Sequence, residues 1–241
     1  MTFHILKTVP ELIKAIAEHF ISVSKNAIEA RGEFNVVLSG GSSPKKLYGL
    51  LASPGYKEQL NWSKVNFFFG DERNVPANDP ENNAYMAKRA LFDPLNIPKS
   101  NIFPINTTLS PQESAKSYTA TITVHFGARE PRFDLILLGI GGNAHTASLF
   151  PYTPVLTDKS TSVQAVFLEE QKNYRISMTA PLINLARNIA FLVYGLEKAE
   201  AVHHVLKDEF EPEKYPAQLI NPLKGELHWF LDEAAASLLE R

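Results

Sequence analysis

The fold is decided by a stretch that reads Phe34-Asn-Val-Val-Leu-Ser-Gly-Gly-Ser-Ser-Pro44. It starts as a short apolar run with β-branched residues, passes through a glycine-rich turn and ends at a proline that opens a helical pattern of leucines. The pattern predicts a strand, a tight turn and a helix in succession. The same order of strand and turn returns where Phe133-Asp-Leu-Ile-Leu-Leu138 runs into Gly139-Ile-Gly-Gly-Asn-Ala-His145. Polar and glycine residues therefore collect directly after buried strands.

The rest of the chain alternates between helix and strand patterns. Helices are predicted at 10–31, 44–51, 85–92, 111–126, 196–207 and after the last strand, and strands at 34–38, 65–69, 102–105, 133–138, 163–168, 175–179, 189–194 and 227–231. Several strand patterns are continuous apolar runs, and helices separate most of them, which is typical of a parallel sheet covered on both faces. We expect an α/β fold with a doubly wound, mostly parallel sheet of modified Rossmann-like type. No linker or repeat divides the chain, so a single domain spanning 1–241 is predicted.

The composition of the chain argues against several classes of function. The 241 residues include 24 basic and 26 acidic side chains, a formal net charge of −2, and no cysteine. A near-neutral charge argues against binding to nucleic acid, which requires clustered Lys and Arg. The absence of cysteine excludes disulfides, thiolate nucleophiles and sulfur-ligated metals, and leaves only metal sites built from His, Asp and Glu. Since neither a targeting signal nor an uninterrupted apolar window of about 18 residues is present, no membrane association and a cytoplasmic location are expected.

The first glycine-rich turn is a candidate anion site. Gly40, Gly41, Ser42 and Ser43 stand between a predicted strand and a predicted helix. Exposed backbone N–H groups and the positive end of a helix dipole make such a turn suitable for phosphate. A plain tight turn is the alternative interpretation. The G-x-x-x-x-G-K-[ST] spacing of nucleotide triphosphatases is absent.

The second glycine-rich turn presents a histidine. Its Gly139-x-Gly141-x-x-Ala144 pattern matches the dinucleotide-binding fingerprint, but Pro151 and Pro154 interrupt the helix that the fingerprint requires. An imidazole can take a proton from water near neutral pH, and glycines give it access to a ligand. His145 is therefore a candidate catalytic base, with a purely structural histidine as the alternative.

Further charged residues follow other predicted strands. Asp71 and Arg73 come after the strand at 65–69, Arg175 opens the strand at 175–179, and Lys198 follows the strand at 189–194. Exposed surface charges are the alternative. Because ligands of open parallel sheets bind outside the carboxyl ends of the strands, we expect an acid and three cations to face one crevice. Arg175 and Lys198 could then converge with the first turn on one phosphate group.

These residues resemble the 6-phosphogluconolactonases, within the wider glucosamine-6-phosphate isomerase/6-phosphogluconolactonase superfamily. The resemblance rests on Leu38-Ser-Gly-Gly-Ser-Ser-Pro44, Gly70-Asp-Glu-Arg73, Asn82-Asn83, His145-Thr-Ala-Ser-Leu-Phe-Pro151, Arg175-Ile-Ser-Met-Thr179, Gly195 to Lys198 and Trp229-Phe-Leu-Asp232, which together cover nearly the whole chain in order. In the sister deaminases, the loop after the histidine looks like His-Ile-x-Phe-Asn-Glu-Pro. This chain has Leu149-Phe150-Pro151 there, without the glutamate.

The resemblance implies hydrolysis of 6-phosphoglucono-δ-lactone to 6-phosphogluconate in the oxidative pentose phosphate pathway, without a metal or an organic cofactor. It implies that His145 is the general base and that Arg73, with backbone N–H groups, stabilises the oxyanion. Asp71 would orient the histidine, Arg73 or a substrate hydroxyl. The 6-phosphate would lie between the Gly40–Ser43 turn, Arg175 and Lys198.

The chain departs from the family at one place. The family usually has Gly-x-Gly-x-Asp-Gly-His, whereas this sequence has Asn143 and Ala144 before the histidine. An asparagine still hydrogen-bonds a ligand or the imidazole, and Ala144 requires a loop conformation that tolerates a Cβ. Two alternatives therefore stay open: a hexosamine-phosphate isomerase or deaminase, and a sugar-phosphate-binding protein with weakened catalysis. The expected partner is a small sugar-phosphate lactone, and the composition fits a monomer or a dimer.

Overall fold

The computed structural model describes residues 1–239. The strands are β1 Thr2–Leu6, β2 Phe34–Leu38, β3 Val65–Phe69, β4 Asp71–Arg73, β5 Leu135–Leu138, β6 Val163–Leu168, β7 Asn173–Met178, β8 Asn188–Val193 and β9 Glu226–Asp232. The α-helices are α1 Val9–Arg31, α2 Ser42–Leu51, α3 Pro54–Lys57, α4 Asn83–Ala87, α5 Asp93–Leu95, α6 Pro111–Phe126, α7 Ala180–Ile183 and α8 Ala199–Leu206. A π-helical turn at Lys88–Phe92 continues α4, and 3₁₀ turns lie at Trp62–Lys64, Lys99–Asn101, Pro154–Thr157, Leu196–Lys198 and Pro216–Leu219.

A six-stranded parallel sheet forms the centre of the fold. Its strand order is β1-β9-β8-β5-β2-β3, and every neighbouring pair is parallel. All five residues of β2 are buried, which requires cover on both faces of the sheet. The predicted α/β class with a doubly wound, mostly parallel sheet is therefore confirmed.

The longest helix shows how local signals set the element boundaries. Thr8 caps the start of α1 by accepting a hydrogen bond from the Glu11 backbone, and the Glu11 carboxylate accepts one from the Thr8 N–H in return. Pro10 lies in the first turn, where a missing N–H costs nothing. Gly32 ends the helix with φ +82°, a conformation that glycine adopts without strain. These signals give α1 boundaries that agree with the predicted range, 10–31, to within one residue.

A second, antiparallel sheet lies beside the first, with the order β4-β7-β6. The sequence patterns at 163–168 and 175–179 thus correspond to real strands, but these strands do not join the parallel sheet. Their connection, residues 169–172, is too short for a crossover and forms a hairpin instead. β4 was not predicted because its three residues are all charged.

Two other expectations about elements were wrong, and one strand was missed. Residues 102–105 form no strand, because only Ile102 bridges to Phe67. Residues 233–239 form successive turns rather than a helix, as the bonds from Ser237 to Ala234 and from Leu239 to Ala236 span three residues instead of four. β1 was missed because this edge strand buries none of its five side chains fully.

The sheet order places a switch point at the middle of the molecule. From β2 the chain first moves outward to β3 and later returns to β5 on the other side of β2. Connections that leave two adjacent strands in opposite directions open a crevice between their carboxyl ends. Both glycine-rich turns, after β2 and after β5, border this crevice. Among the helices in residues 1–239, none combines the length and the apolar character needed to cross a membrane.

Candidate active site

A cleft of about 410 Å³ occupies the crevice at the switch point. The predicted site residues that line it are Gly40, Gly41, Ser42, Ser43, Asp71, Arg73, His145 and Lys198. They come from four separate segments, which the carboxyl ends of β2, β3, β5 and β8 bring together. The structure thus gathers most of the predicted residues at one place.

A larger groove of about 620 Å³ lies elsewhere, between α6 and β6. Lys116 is the one charged residue among those lining it, and no histidine or carboxylate faces it. Volume alone would favour this groove. The groups needed for acid-base chemistry or anion binding are instead in the smaller cleft, which we therefore take as the candidate active site.

The first glycine-rich turn places the N-terminal end of α2, which has no side-chain cap among the described residues, at the cleft. Gly41 precedes α2 with φ +101°, and no side chain of the described residues caps the free N–H groups at the start of this helix. Gly40 touches Asn83 so closely that a Cβ would lie 1.9 Å from the Asn83 Oδ1 atom. Glycine is therefore required at both positions, for conformation at Gly41 and for space at Gly40. The open helix end is suited to an anion.

His145 is held on three sides. Its Nδ1 atom lies 2.5 Å from Asn143 Oδ1, so the Nδ1 hydrogen is donated to the amide oxygen. Phe150 stacks on the imidazole with ring centroids 4.0 Å apart. On another side, a Cβ on Gly141 would lie 2.1 Å from the ring atoms Cε1 and Nδ1. The Nε2 atom has no hydrogen-bond partner in residues 1–239 and is left as the basic nitrogen.

The electrostatic surroundings keep His145 neutral. Burial lowers the pKa of the imidazole to about 4, and the charges of Lys198, Arg175 and Arg73 act in the same direction. At neutral pH the ring is therefore unprotonated and able to accept a proton. The same three cations would attract an anionic ligand to its side.

Arg73 and Arg175 lie directly opposite each other on β4 and β7. The Nη1 atom of Arg73 donates to the Glu81 carbonyl at 2.9 Å, and Nη2 of Arg175 donates to Gln171 at 2.6 Å. Nη1 of Arg175 is buried and lacks an acceptor among the described residues. Like charges facing each other across a strand pair are unfavourable, and an unpaired buried N–H adds to the cost. A bound anion would relieve both.

Arg175 and Asn143 do not line the cleft itself. Arg175 is close enough for its charge to affect His145 and Asp71. Asn143 is exposed and contacts His145 instead. Its position favours support of the imidazole over the predicted contact with substrate.

Asp71 is buried and does not contact His145. Its Oδ2 atom accepts a hydrogen bond of 2.6 Å from the Ser148 hydroxyl, and its Oδ1 atom lies 3.4 Å from the Asn83 amide. Burial raises the pKa of Asp71, while the Ser148 bond and the neighbouring arginines Arg73 and Arg175 lower it. Of the three roles considered for Asp71, orientation of the histidine has no contact in the structure that supports it.

Several contributors were missed from the sequence. Ser148, Asn83 and Phe150 were quoted only within matching stretches, and the contacts that define their roles are tertiary. Glu72 is fully buried and accepts hydrogen bonds from the backbone of Arg73, Asn83 and Ala84. Neighbouring side chains of a β-strand point to opposite faces. Because Asp71 and Arg73 face the cleft, this alternation could have placed Glu72 on the opposite, buried face.

The loop accommodates the Cβ of Ala144 only in a strained conformation. Its φ is +59°, in the left-handed region, and the side chain is 1% exposed. An alanine there carries strain of about 1–2 kcal/mol relative to a right-handed conformation. In residues 1–239, no group of three or more His, Asp or Glu side chains is arranged to hold a metal ion.

Comparisons with known proteins agree with this architecture. A sequence profile described as glucosamine-6-phosphate isomerases/6-phosphogluconolactonase matches residues 7–229. A 6-phosphogluconolactonase from Synechocystis sp. is 41% identical over 88% of each chain, and one from Nostoc sp. is 36% identical over 99% of this chain and 98% of its own. The solved 6-phosphogluconolactonase from Trypanosoma cruzi superposes with a TM-score of 0.87 at 27% identity, over 100% of this chain and 97% of the other. The chain belongs to the glucosamine-6-phosphate isomerase/6-phosphogluconolactonase family.

Proposed function

We propose that this protein hydrolyses 6-phosphoglucono-δ-lactone to 6-phosphogluconate. The observation that carries the proposal is the neutral His145, which lines a cleft together with Arg73 and Lys198 and also lies within reach of the Arg175 charge. A base next to an anion-binding surface fits an ester that carries a phosphate group. The relatives named 6-phosphogluconolactonase support the same reaction.

In the proposed reaction, His145 Nε2 takes a proton from a water molecule as its oxygen attacks the C1 carbonyl. The Asn143 bond to Nδ1 fixes the tautomer and keeps Nε2 as the acceptor. The tetrahedral intermediate carries an oxyanion, which Arg73 and backbone N–H groups stabilise; one such donor is worth about 10²–10³ in rate. The C1–O bond to the ring oxygen then breaks, and the imidazolium returns the proton to that oxygen.

The 6-phosphate is proposed to bind the free end of α2, with Arg175 and Lys198 as its cationic partners. The α2 N–H groups lack a side-chain cap, and Arg175 has an unpaired Nη1. Phosphate binding holds C1 near His145 and converts binding energy into orientation. It also offsets part of the positive charge around the imidazole, which strengthens the base.

Phe150 favours lactone hydrolysis over hexosamine-phosphate chemistry. By resemblance it stands where the deaminases have a glutamate, and its ring is stacked against His145 at 4.0 Å. This chain therefore has a phenylalanine, and no carboxylate, at the position of the deaminase glutamate. The family description covers both activities, so family membership alone does not decide between them.

The test is hydrolysis of lactone generated in situ by oxidation of glucose 6-phosphate, followed against the spontaneous rate. We expect wild type to exceed that rate and His145→Gln to lose about 10²–10⁴ in kcat while it still binds 6-phosphogluconate. An unchanged rate in His145→Gln would refute the assigned base. Wild-type activity no higher than buffer, with 6-phosphogluconate still bound, would indicate a binding protein. Release of ammonia from glucosamine 6-phosphate would indicate a deaminase.

A further inference from the structure

Ser148 connects three parts of the cleft. It lies on the loop that carries His145 and is 1% exposed. Its hydroxyl donates to Asp71 Oδ2 on β4 at 2.6 Å, and its N–H donates to the Ser177 hydroxyl on β7 at 3.1 Å. Ser177 in turn donates to the Met178 carbonyl. The histidine loop is thus fastened to both strands that carry the acid and the arginines.

The two oxygens of Asp71 have different surroundings. Oδ2 is engaged by the Ser148 hydroxyl at 2.6 Å, a length typical of a strong charge-assisted bond. Within residues 1–239, the one partner of Oδ1 is the Asn83 amide at 3.4 Å, which is near the limit of a hydrogen bond. A carboxylate oxygen has two acceptor sites. Since Asp71 lines the cleft, Oδ1 retains the capacity to accept from a ligand hydroxyl.

The geometry also limits what Asp71 can act on. His145 Nδ1 is engaged by Asn143, and the described side-chain hydrogen bond of Arg73 goes to the Glu81 carbonyl rather than to Asp71. Asp71 is therefore aimed at the cleft and not at the base. Polyol ligands such as a sugar lactone supply the hydroxyl donors that an oriented carboxylate selects.

We propose that Ser148 is a positioning residue, which fixes the Asp71 carboxylate so that its Oδ1 atom accepts a hydrogen bond from a sugar hydroxyl. The proposal rests on the proposed lactonase function, because it assumes a hydroxylated substrate in this cleft. Ser148 itself touches no substrate in this arrangement. It acts through Asp71, and its removal leaves a carboxylate that is free to rotate.

The charges around Asp71 give the proposal a measurable signature. Arg73 on β4 and Arg175 on β7 lower the pKa of Asp71, as does the Ser148 bond, whereas burial raises it. The adjacent Glu72 carboxyl also interacts with it. Loss of the Ser148 donor therefore moves the pKa of Asp71 upward. A protonated Asp71 is a poorer acceptor, so substrate affinity should be lost at a higher pH than in wild type.

The first experiment compares Ser148→Ala with Ser24→Ala as a matched control. Ser24 is also fully buried, and its hydroxyl donates to the Ile21 carbonyl at 2.8 Å, within α1 and away from the cleft. We expect KM for the lactone to rise about 10-fold in Ser148→Ala, with kcat within about 3-fold of wild type. The acid limb of 1/KM should move to higher pH. Neither change is expected in Ser24→Ala.

Ser148→Cys provides a second variant that fills the same space and offers a weaker donor. It should change KM in the same direction by a smaller factor. Adding Ser148→Ala to Asp71→Asn should produce no further loss, because both changes remove the same interaction. Independent, multiplicative losses in the double variant, or a Ser148→Ala profile identical to wild type, would overturn the proposal.

Binding of 6-phosphogluconate, measured by calorimetry on the same variants, separates this inference from the proposed function. An about 10-fold weaker Kd in Ser148→Ala, with none in Ser24→Ala, supports the role of Ser148 even if wild type fails to hydrolyse the lactone. Unchanged Kd and KM together contradict it even if wild type is an active lactonase.

Discussion

At the scale of single residues, Gly141 leaves space for the His145 ring that a residue with a side chain would occupy. A Cβ there would lie 2.1 Å from two ring atoms of His145, whereas the neighbouring Gly142 has open space around it. We predict that Gly141→Ala displaces the imidazole and lowers kcat at least about 100-fold, while 6-phosphogluconate still binds. Gly142→Ala is the matched control and should remain close to wild type. Equal kcat values for the two variants would contradict the packing described for the histidine.

A negative charge at position 143 should change the pH range in which His145 works, because Asn143 contacts the imidazole directly. A carboxylate at this position would face Nδ1 across the present 2.5 Å contact and stabilise the imidazolium. The pKa of His145, which burial and neighbouring cations hold at about 4, should then rise by about 1–2 units in Asn143→Asp.

Activity needs the neutral base and is lost as pH falls through that pKa. The acid limb of kcat/KM should therefore move to higher pH in Asn143→Asp, as measured by lactone hydrolysis between about pH 4 and 8. Asn26→Asp, which adds the same charge on the exposed side of α1, should leave the limb in place. A limb that is unchanged in both variants would show that Asn143 does not support the base.

At the scale of elements, Glu72 joins β4 to the start of α4 by accepting hydrogen bonds from the Asn83 and Ala84 N–H groups, and it accepts a third from Arg73 within β4. Burial raises its pKa from 4.5 to about 7. The folded state then binds the proton more tightly than the unfolded state. Its contribution to stability is fully present below about pH 4.5 and is lost as pH rises through about 7, a change of up to about 3 kcal/mol.

Glu72→Gln removes this titration and one acceptor. We predict that it destabilises the protein more at pH 5 than at pH 8, as measured by urea unfolding at both values. Glu29→Gln, an exposed change on α1, serves as control and should show no such difference. A larger effect at pH 8 would mean that Glu72 is ionised in the folded protein throughout this range.

Element boundaries followed from the sequence where local signals decide them. α6 was placed at Pro111–Phe126, as its capping box and the closing glycine require, and β3 was placed at Val65–Phe69. β1 and β4 were missed because pairing partners far along the chain, β9 and β7, create them. Ser148 was missed as a site residue for the same reason, since its role depends on Asp71 across the fold.

At the scale of the whole molecule, charge is distributed unevenly. The net charge is −2, yet the charges of Arg73, Arg175 and Lys198 all act on the one residue His145. We predict that the Kd for 6-phosphogluconate, measured by calorimetry, weakens at least about 3-fold as ionic strength rises from about 0.05 to 0.5 M. Lys198→Ala should bind more weakly and show a smaller salt dependence. Lys14→Ala, on the exposed face of α1, should behave like wild type, and equal salt dependence in all three would contradict the role of Lys198.

The position of β9 has a consequence for synthesis on the ribosome. β9 lies between β1 and β8, so β1 has no strand partner in the sheet until residues 226–232 have left the exit tunnel. Until then β1 stays unpaired, while β8 keeps an open edge that other chains could pair with. The parallel sheet is thus completed late, when β9 inserts between β1 and β8. Pairing between strands so far apart in the sequence slows folding, and the unpaired strand edges expose the partly folded chain to aggregation that chaperones counteract.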